Sequence, residues 1–217
     1  MSTDVTRDFA FGLPKAELHL HLEGTLEPDL KLALARKNGV DIGQSTVEEV
    51  QATYQFNDLT SFLAVYYPAM DVLQNEDDFH DLAAAYFERA RANGVVRAEC
   101  FFDPQAHTSR GIAIETVIRG YYRAVVEARE AGLSADLILC FLRDMSAESA
   151  LETLQAALPY KDMFIGVGLD SDERDNPPTK FARVFELARE AGLHVTMHCD
   201  IDQIGSIDNI RAALTEL

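Results

Sequence analysis

Short apolar runs alternate along this chain with longer amphipathic ones. From Ala16 to Leu22 apolar and polar residues alternate strictly (AELHLHL), the period of a strand with two unlike faces. Glu23-Gly24-Thr25 ends that run. A helix capped by Thr25 is expected to follow to about Lys37, with Glu27 and Asp29 in its first turn and Asn38-Gly39 as its stop. From Thr46 to Gly94 no strand pattern occurs, and residues 47–52, 59–73 and 77–92 carry helical spacing. Strand patterns return at 95–102, 137–142, 163–169 and 193–198. Helical ones separate them at 112–131, 147–158 and 178–191, and a last helix begins near Ser206.

Five strands, each followed by a helix, imply parallel strands joined by right-handed crossovers. The near-continuous apolar runs LILCFL and MFIGVGL fit strands covered on both faces. The fold class is therefore α/β in a single domain over 1–217, as an open doubly wound sheet or a TIM-type barrel. No GxGxxG or GxxxxGK[ST] follows the first strand, so a nucleotide-phosphate cradle has no support. A pair of histidines stands there instead, which favours the barrel.

Composition narrows the partners. Hydrophobic residues at 47% and charged residues at 25% are ordinary for a globular domain. Lys plus Arg number 19 against 36 Asp plus Glu, a formal charge of -17 that repels nucleic acid and anionic membranes while accepting a neutral ligand or a divalent cation. Cys100, Cys140 and Cys199 form no close-spaced set, so a reducing compartment is expected. The N-terminus has no signal design and no apolar run approaches ~18 residues. A cytoplasmic location follows as the expectation.

His19 and His21, two apart in a strand, share a face with Glu17, and Leu18, Leu20 and Leu22 take the other, under the helices. Two imidazoles near a strand end can share one divalent ion; the plainer alternative is a hydrogen-bonded pair. His198, ending the fifth strand pattern, offers a third nitrogen from the same rim. Of the others, His80 sits at an acidic helix start and is expected to be solvated. His194 shares the parity of His198 and lies deeper or at the far rim. His107, on the loop after the second strand, either touches ligand or bonds within its loop. The fourth strand pattern has no lysine to bridge two metals, which points to one metal ion per chain.

LPKAELHLHLEGTLEP resembles the opening of the adenosine/adenine deaminase family, a branch of the metal-dependent amidohydrolase barrels. YQFNDLTSFL, ECFFDPQAHTSRGI and FIGVGLDSDERDNPPTKF extend the resemblance over the chain, the last two being closer to the adenine deaminase subgroup. The resemblance implies a (β/α)8 barrel of which this chain supplies the first five units, with a helical flap at about 46–94. It implies that His19, His21 and His198 ligate one Zn2+. Glu23 stands where the nucleoside enzymes hold an aspartate that contacts ribose. Leu59 and Phe62 fall on the flap, and the stretch from Gly168 through Asp170 to Ser171 lies near the N3 side of the purine. The implied reaction removes the 6-amino group of adenine, with adenosine or an N6-substituted adenine close behind. Water on zinc ionises near pH 7 rather than 15.7, a carboxyl group protonates N1 for a typical ~10²–10⁴-fold gain, and ammonia leaves.

Two features depart from the family. Its His-Ala-Gly-Glu reads His198-Cys199-Asp200-Ile201 here, and Ile201 cannot donate a proton, which leaves Asp200 and Asp202 as candidate donors. The barrel needs eight units and five are present. The expectation is an N-terminal portion of a longer enzyme, or completion by another segment or a homo-oligomer. The alternatives are a catalytically inactive or truncated purine- or metal-binding relative, and an amidohydrolase acting on cyclic amides.

Overall fold

The computed structural model describes residues 2–199 and 204–217. Five parallel strands lie side by side in chain order: β1 (Lys15–His21), β2 (Val95–Phe102), β3 (Ser134–Leu142), β4 (Gly166–Asp170) and β5 (His194–Val195). Residue alternation sorts their side chains between two faces. Ala98, Cys100 and Phe102, Leu137, Leu139 and Phe141, and Val167 and Leu169 join the helices in the main core. Phe101, Ile138 and Cys140 make a smaller cluster on the other face.

That second face is concave. Strands spaced about 4.8 Å apart would hold β1 and β5 roughly 19 Å from each other in a flat sheet. Yet His19 and His21 on β1 each bring Nε2 within 2.9 Å of Nε2 of His198, just beyond β5. The sheet is curled into an arc of a barrel, an incomplete (β/α)8 pattern of five units. Backbone bonds from Thr196 to Val167 and from His198 to Leu169 carry the β5 ladder up to His198. The strand itself is shorter than its 193–198 pattern because, among the described residues, only β4 pairs with it.

Helix α1 (Ser2–Gly12) precedes the sheet and has no counterpart in the sequence reading. Helix α2 (Pro28–Asn38) starts after Glu27, not at Thr25, and stops at left-handed Gly39 (φ 65°). Thr25 is used elsewhere: residues Leu22–Thr25 form a 3₁₀ turn in which its hydroxyl donates to Leu22 O at 2.7 Å. Capping boxes at Thr46, Asp58 and Asn75 start α3 (Val47–Ala52), α4 (Leu59–Ala69) and α5 (Glu76–Ala92). Pro68, which lacks an N–H, lies in the last turn of α4, and a 3₁₀ turn over Met70–Val72 follows, dividing the single helix expected at 59–73. After β2 come α6 (Pro104–Thr108) and α7 (Ile114–Glu130), where one helix was expected. The remaining helices are α8 (Ala147–Ala157), α9 (Ala182–Glu190) and α10 (Ser206–Thr215). Among the described residues no helix is long and apolar enough to cross a membrane.

Strict alternation misassigns part of β1. Glu17 pairs with Ala98 and Leu20 with Cys100, so three steps on β1 match two on β2, a bulge at Leu18-His19. Glu17 therefore turns toward α5, where Tyr86 Oη donates to its Oε2 at 2.8 Å. Leu18 lies on the concave face beside Phe101 and Ile138 and is 54% exposed, rather than under the helices; Leu20 and Leu22 do pack into the main core. The bulge leaves both histidines aimed inward.

Gly120 lets α7 cross α5 closely: a Cβ there would meet Glu76 O at 2.5 Å and Phe79 Cβ at 2.6 Å. Gly120→Ala is expected to lower stability by about 1–3 kcal/mol, the usual cost of overpacking. A denaturant titration that shifts the midpoint without changing the slope would show it.

Candidate metal centre

Three imidazoles converge at the mouth of the arc. The Nε2 atoms of His19 and His21 each lie 2.9 Å from that of His198, and the three ligand atoms form one mutually close group. Burial, followed by the neighbouring imidazoles His21 and His19, pushes His198 down to about 4. Burial and then His21 push His19 down as well. Both rings are thus neutral at neutral pH, with lone pairs available. Bonds of 2.0–2.1 Å to a tetrahedral zinc would set nitrogens about 3.3 Å apart, so small shifts suffice. The donor set fits a zinc ion.

The far side of His21 is also defined. Its Nδ1 lies 3.3 Å from Asp170 Oδ2, at the end of β4. An accepting carboxyl oxygen there selects the tautomer with the proton on Nδ1, leaving Nε2 free to hold a metal ion. Asp170 is itself close to buried Asp103 at the end of β2. Burial drives the Asp103 carboxyl upward, reinforced by the charges of Asp170 and Glu23; burial likewise raises Asp170 to about 7. Two carboxyls this close and this dry do not both ionise.

Above the histidines opens a cavity of about 840 Å³. Leu59, Phe62 and Tyr66 of α4 wall one side, Phe62 stacked on Tyr66 with ring centres 5.1 Å apart. Asp170 and Ser171 close another side. Ser171 has φ 71°, a left-handed conformation that costs energy in a non-glycine residue and often marks a functional loop. Of the residues singled out from the sequence, the structure brings His19, His21, His198, Leu59, Phe62 and Asp170 to this one cavity.

Glu23 is not among them. Its carboxylate is enclosed behind the 3₁₀ turn, where Oε1 accepts from Asp103 N, His107 Nε2 and Tyr121 Oη, each at 3.1 Å. Burial raises its pKa, but the bonds from His107 and the Asp103 backbone outweigh that and leave it below the usual value. His107 correspondingly sits fully buried on α6, bonded within the protein rather than reaching the cavity. His80 is not solvated: it bridges Asp81 at 3.1 Å and Glu127 at 2.9 Å between α5 and α7. His194 lines a smaller cavity deeper in the arc, with Leu18 and Phe101. Cys199 touches the main cavity where the chain leaves β5, without joining the ligand group. Asp200, Ile201 and Asp202 lie outside the described residues.

The adenosine deaminase family model matches residues 14–217. The chain belongs to this family. It is 57% identical over 187 residues to the adenine deaminase of Geotalea uraniireducens, matching 86% of this chain and 53% of that protein. Among solved structures, the adenine deaminase from Arthrobacter aurescens superposes with a TM-score of 0.90 at 49% identity, over 94% of this chain and 62% of that one. A Burkholderia ambifaria amidohydrolase with bound Zn is 29% identical with a TM-score of 0.81, over 99% of this chain and 59% of that one. The chain thus spans somewhat more than half the length of these family members.

Within this family member, sequence reasoning missed three supporting groups. Asp103 reads as a turn residue in Asp-Pro but ends up fully enclosed beside the histidines. Tyr66 Oη reaches Asp103 Oδ2 at 3.4 Å, joining α4 to the same cluster. Arg143, directly after LILCFL, is wholly buried: Nη1 donates to His198 O at 2.9 Å and pairs with Glu173 at 3.1 Å, while Nε donates to Asn176 O at 3.0 Å. A lone cation ending an apolar strand was the available signal.

Proposed function

We propose that this protein acts in the zinc-dependent hydrolytic deamination of a 6-aminopurine, with free adenine as the favoured substrate. The observation that carries the reading is the meeting of three imidazoles under an aromatic-walled cavity of about 840 Å³. One Zn2+ held by His19, His21 and His198 would supply Lewis-acid activation of water near neutral pH. The chain's own residues do the rest. Asp170 orients His21, Phe62 and Leu59 present flat apolar surface to a purine ring, and α4 acts as the flap that keeps bulk water away. Asp200 or Asp202 delivers the proton to N1. The concave face, with Leu18 exposed on it, supports completion of the barrel by further βα units.

Glu23 supports the base over the nucleoside. The acid that would meet a ribose hydroxyl is buried outside the cavity, its Oε1 held by His107, Tyr121 and a backbone N–H. Losing one charge-assisted hydrogen bond is worth roughly 10- to 100-fold, so kcat/KM for adenosine is expected to fall below that for adenine by about that factor. The test is ultraviolet absorbance of adenine with ammonia detection, using zinc-loaded protein. Adenine turnover exceeding adenosine turnover supports the reading, and equal or reversed preference contradicts it. Ile201 at the usual glutamate position favours a second reading, an inactive purine- and metal-binding relative. Zinc and adenine binding without ammonia release would select it.

A further inference from the structure

Helix α4 is pinned at both ends. Near its start, Arg174 Nη2 donates to Thr60 Oγ1 at 2.7 Å from the loop after β4. At its other end, the 3₁₀ turn over Met70–Val72 is held by Arg110, whose Nη2 donates to Met70 O at 3.1 Å and Leu73 O at 3.2 Å. The same Nη2 lies 2.9 Å from Nδ1 of His107. A guanidinium only donates, so the two Nη2 protons are shared among these three acceptors, Nδ1 accepts, and the ring proton sits on Nε2. That proton points at Glu23 Oε1, 3.1 Å away in the turn that follows His21. An unbroken line of hydrogen bonds therefore runs from the end of the histidine strand, through a fully buried imidazole, to the base of the cavity-walling helix.

We propose that His107 is a positioning residue: its Nδ1, turned to accept because Glu23 holds the proton-bearing Nε2, orients Arg110 and so sets where the end of α4 sits and the height of the cavity. It rests on α4 walling the cavity rather than on what the cavity binds. The pieces fit this use. His107 is locked face-on-edge by Phe79, with ring centres 4.7 Å apart, so it cannot turn to satisfy one partner without the other. Glu23 is fixed independently by Tyr121 and the Asp103 amide, giving the line a rigid end. Arg110 is the end that meets α4, since both of its carbonyl acceptors, Met70 O and Leu73 O, belong to the connection after that helix.

The two ring nitrogens have separable duties, and the test uses that. In His107→Asn the side-chain oxygen replaces Nδ1 and keeps the bond to Arg110; in His107→Gln the amide reaches the Nε2 position and keeps the bond to Glu23 alone. Hydrogen exchange on the whole protein reads the result without any substrate. His107→Gln and Arg110→Met are expected to speed exchange of the 62–73 amides about tenfold or more, the scale of one charge-assisted bond. His107→Asn leaves those amides near the wild-type rate, and β2 and β3 amides stay protected in all three. In turnover, His107→Gln raises the adenine KM and His107→Asn does not. Equal acceleration in Asn and Gln variants, or none in either, overturns the proposal. Should both histidine variants fail to fold, Arg110→Met decides: loosened 62–73 amides uphold the positioning line, and unchanged ones overturn it. Because exchange is measured without purine, an inert enzyme with the predicted exchange pattern would sink only the substrate reading.

Discussion

His198→Ala is expected to abolish stoichiometric zinc binding while leaving the metal-free fold almost as stable as before. His198 is the only described ligand from the far edge of the sheet, and its Nε2 sits between those of His19 and His21. Losing it should weaken zinc well beyond the 10–100-fold typical of an outer-shell substitution. The metal-free fold hardly suffers, because the two 2.9 Å contacts that His198 makes with His19 and His21 contribute little without an ion between the rings. Linkage makes the contrast measurable: zinc at 100 times its dissociation constant stabilises the wild type by about 2.7 kcal/mol. Urea titrations with and without zinc should show that gain in the wild type and none in the variant. A variant that keeps the zinc-dependent gain would place the ion elsewhere.

Arg143→Met is expected to be the most destabilising single change. Its guanidinium is fully buried and ties the end of β3 to two other segments: the loop after β4 through Glu173 and Asn176, and the chain beyond β5 through His198 O. Glu173 in turn accepts from Asn209 of α10 at 2.7 Å. Removing one member of a buried pair leaves an uncompensated charge, a cost of about 3–5 kcal/mol. The backbone of His198 loses its anchor as well, so zinc affinity should fall by roughly 10–100-fold. Lysine does not rescue, since a point charge cannot reach three acceptors spread around a planar fork. Adding Glu173→Leu should recover part of the stability but not the zinc affinity, because it removes the orphan charge without restoring the anchor. Equal loss in the single and double variants would show that burial of the pair is not what Arg143 resolves.

Much of the architecture was visible in periodicity because parallel βα units repeat a strong contrast. Apolar strands such as LILCFL alternate with amphipathic helices ending at glycine, and that is what lies at β3 and α7. The histidine cluster was visible because His-x-His in a strand and a histidine ending another strand are rare patterns in a chain with six histidines. Pairwise partners decided the rest. The β1 bulge cannot be read from AELHLHL, since only pairing with β2 reveals the extra residue. The family resemblance placed Glu23 toward the substrate; its direction is set by partners such as Tyr121, 98 residues away. Helix α1 escaped notice because Phe9 and Phe11 are exposed, leaving no buried stripe for the pattern to report.

The most direct check is a crystal structure of the zinc-soaked protein with anomalous data collected at the zinc edge. One peak is predicted, bound by Nε2 of His19, His21 and His198 at 2.0–2.1 Å, with Asp170 still facing Nδ1 of His21. Two peaks, or a single peak seated between Asp103 and Asp170, would contradict the three-imidazole centre.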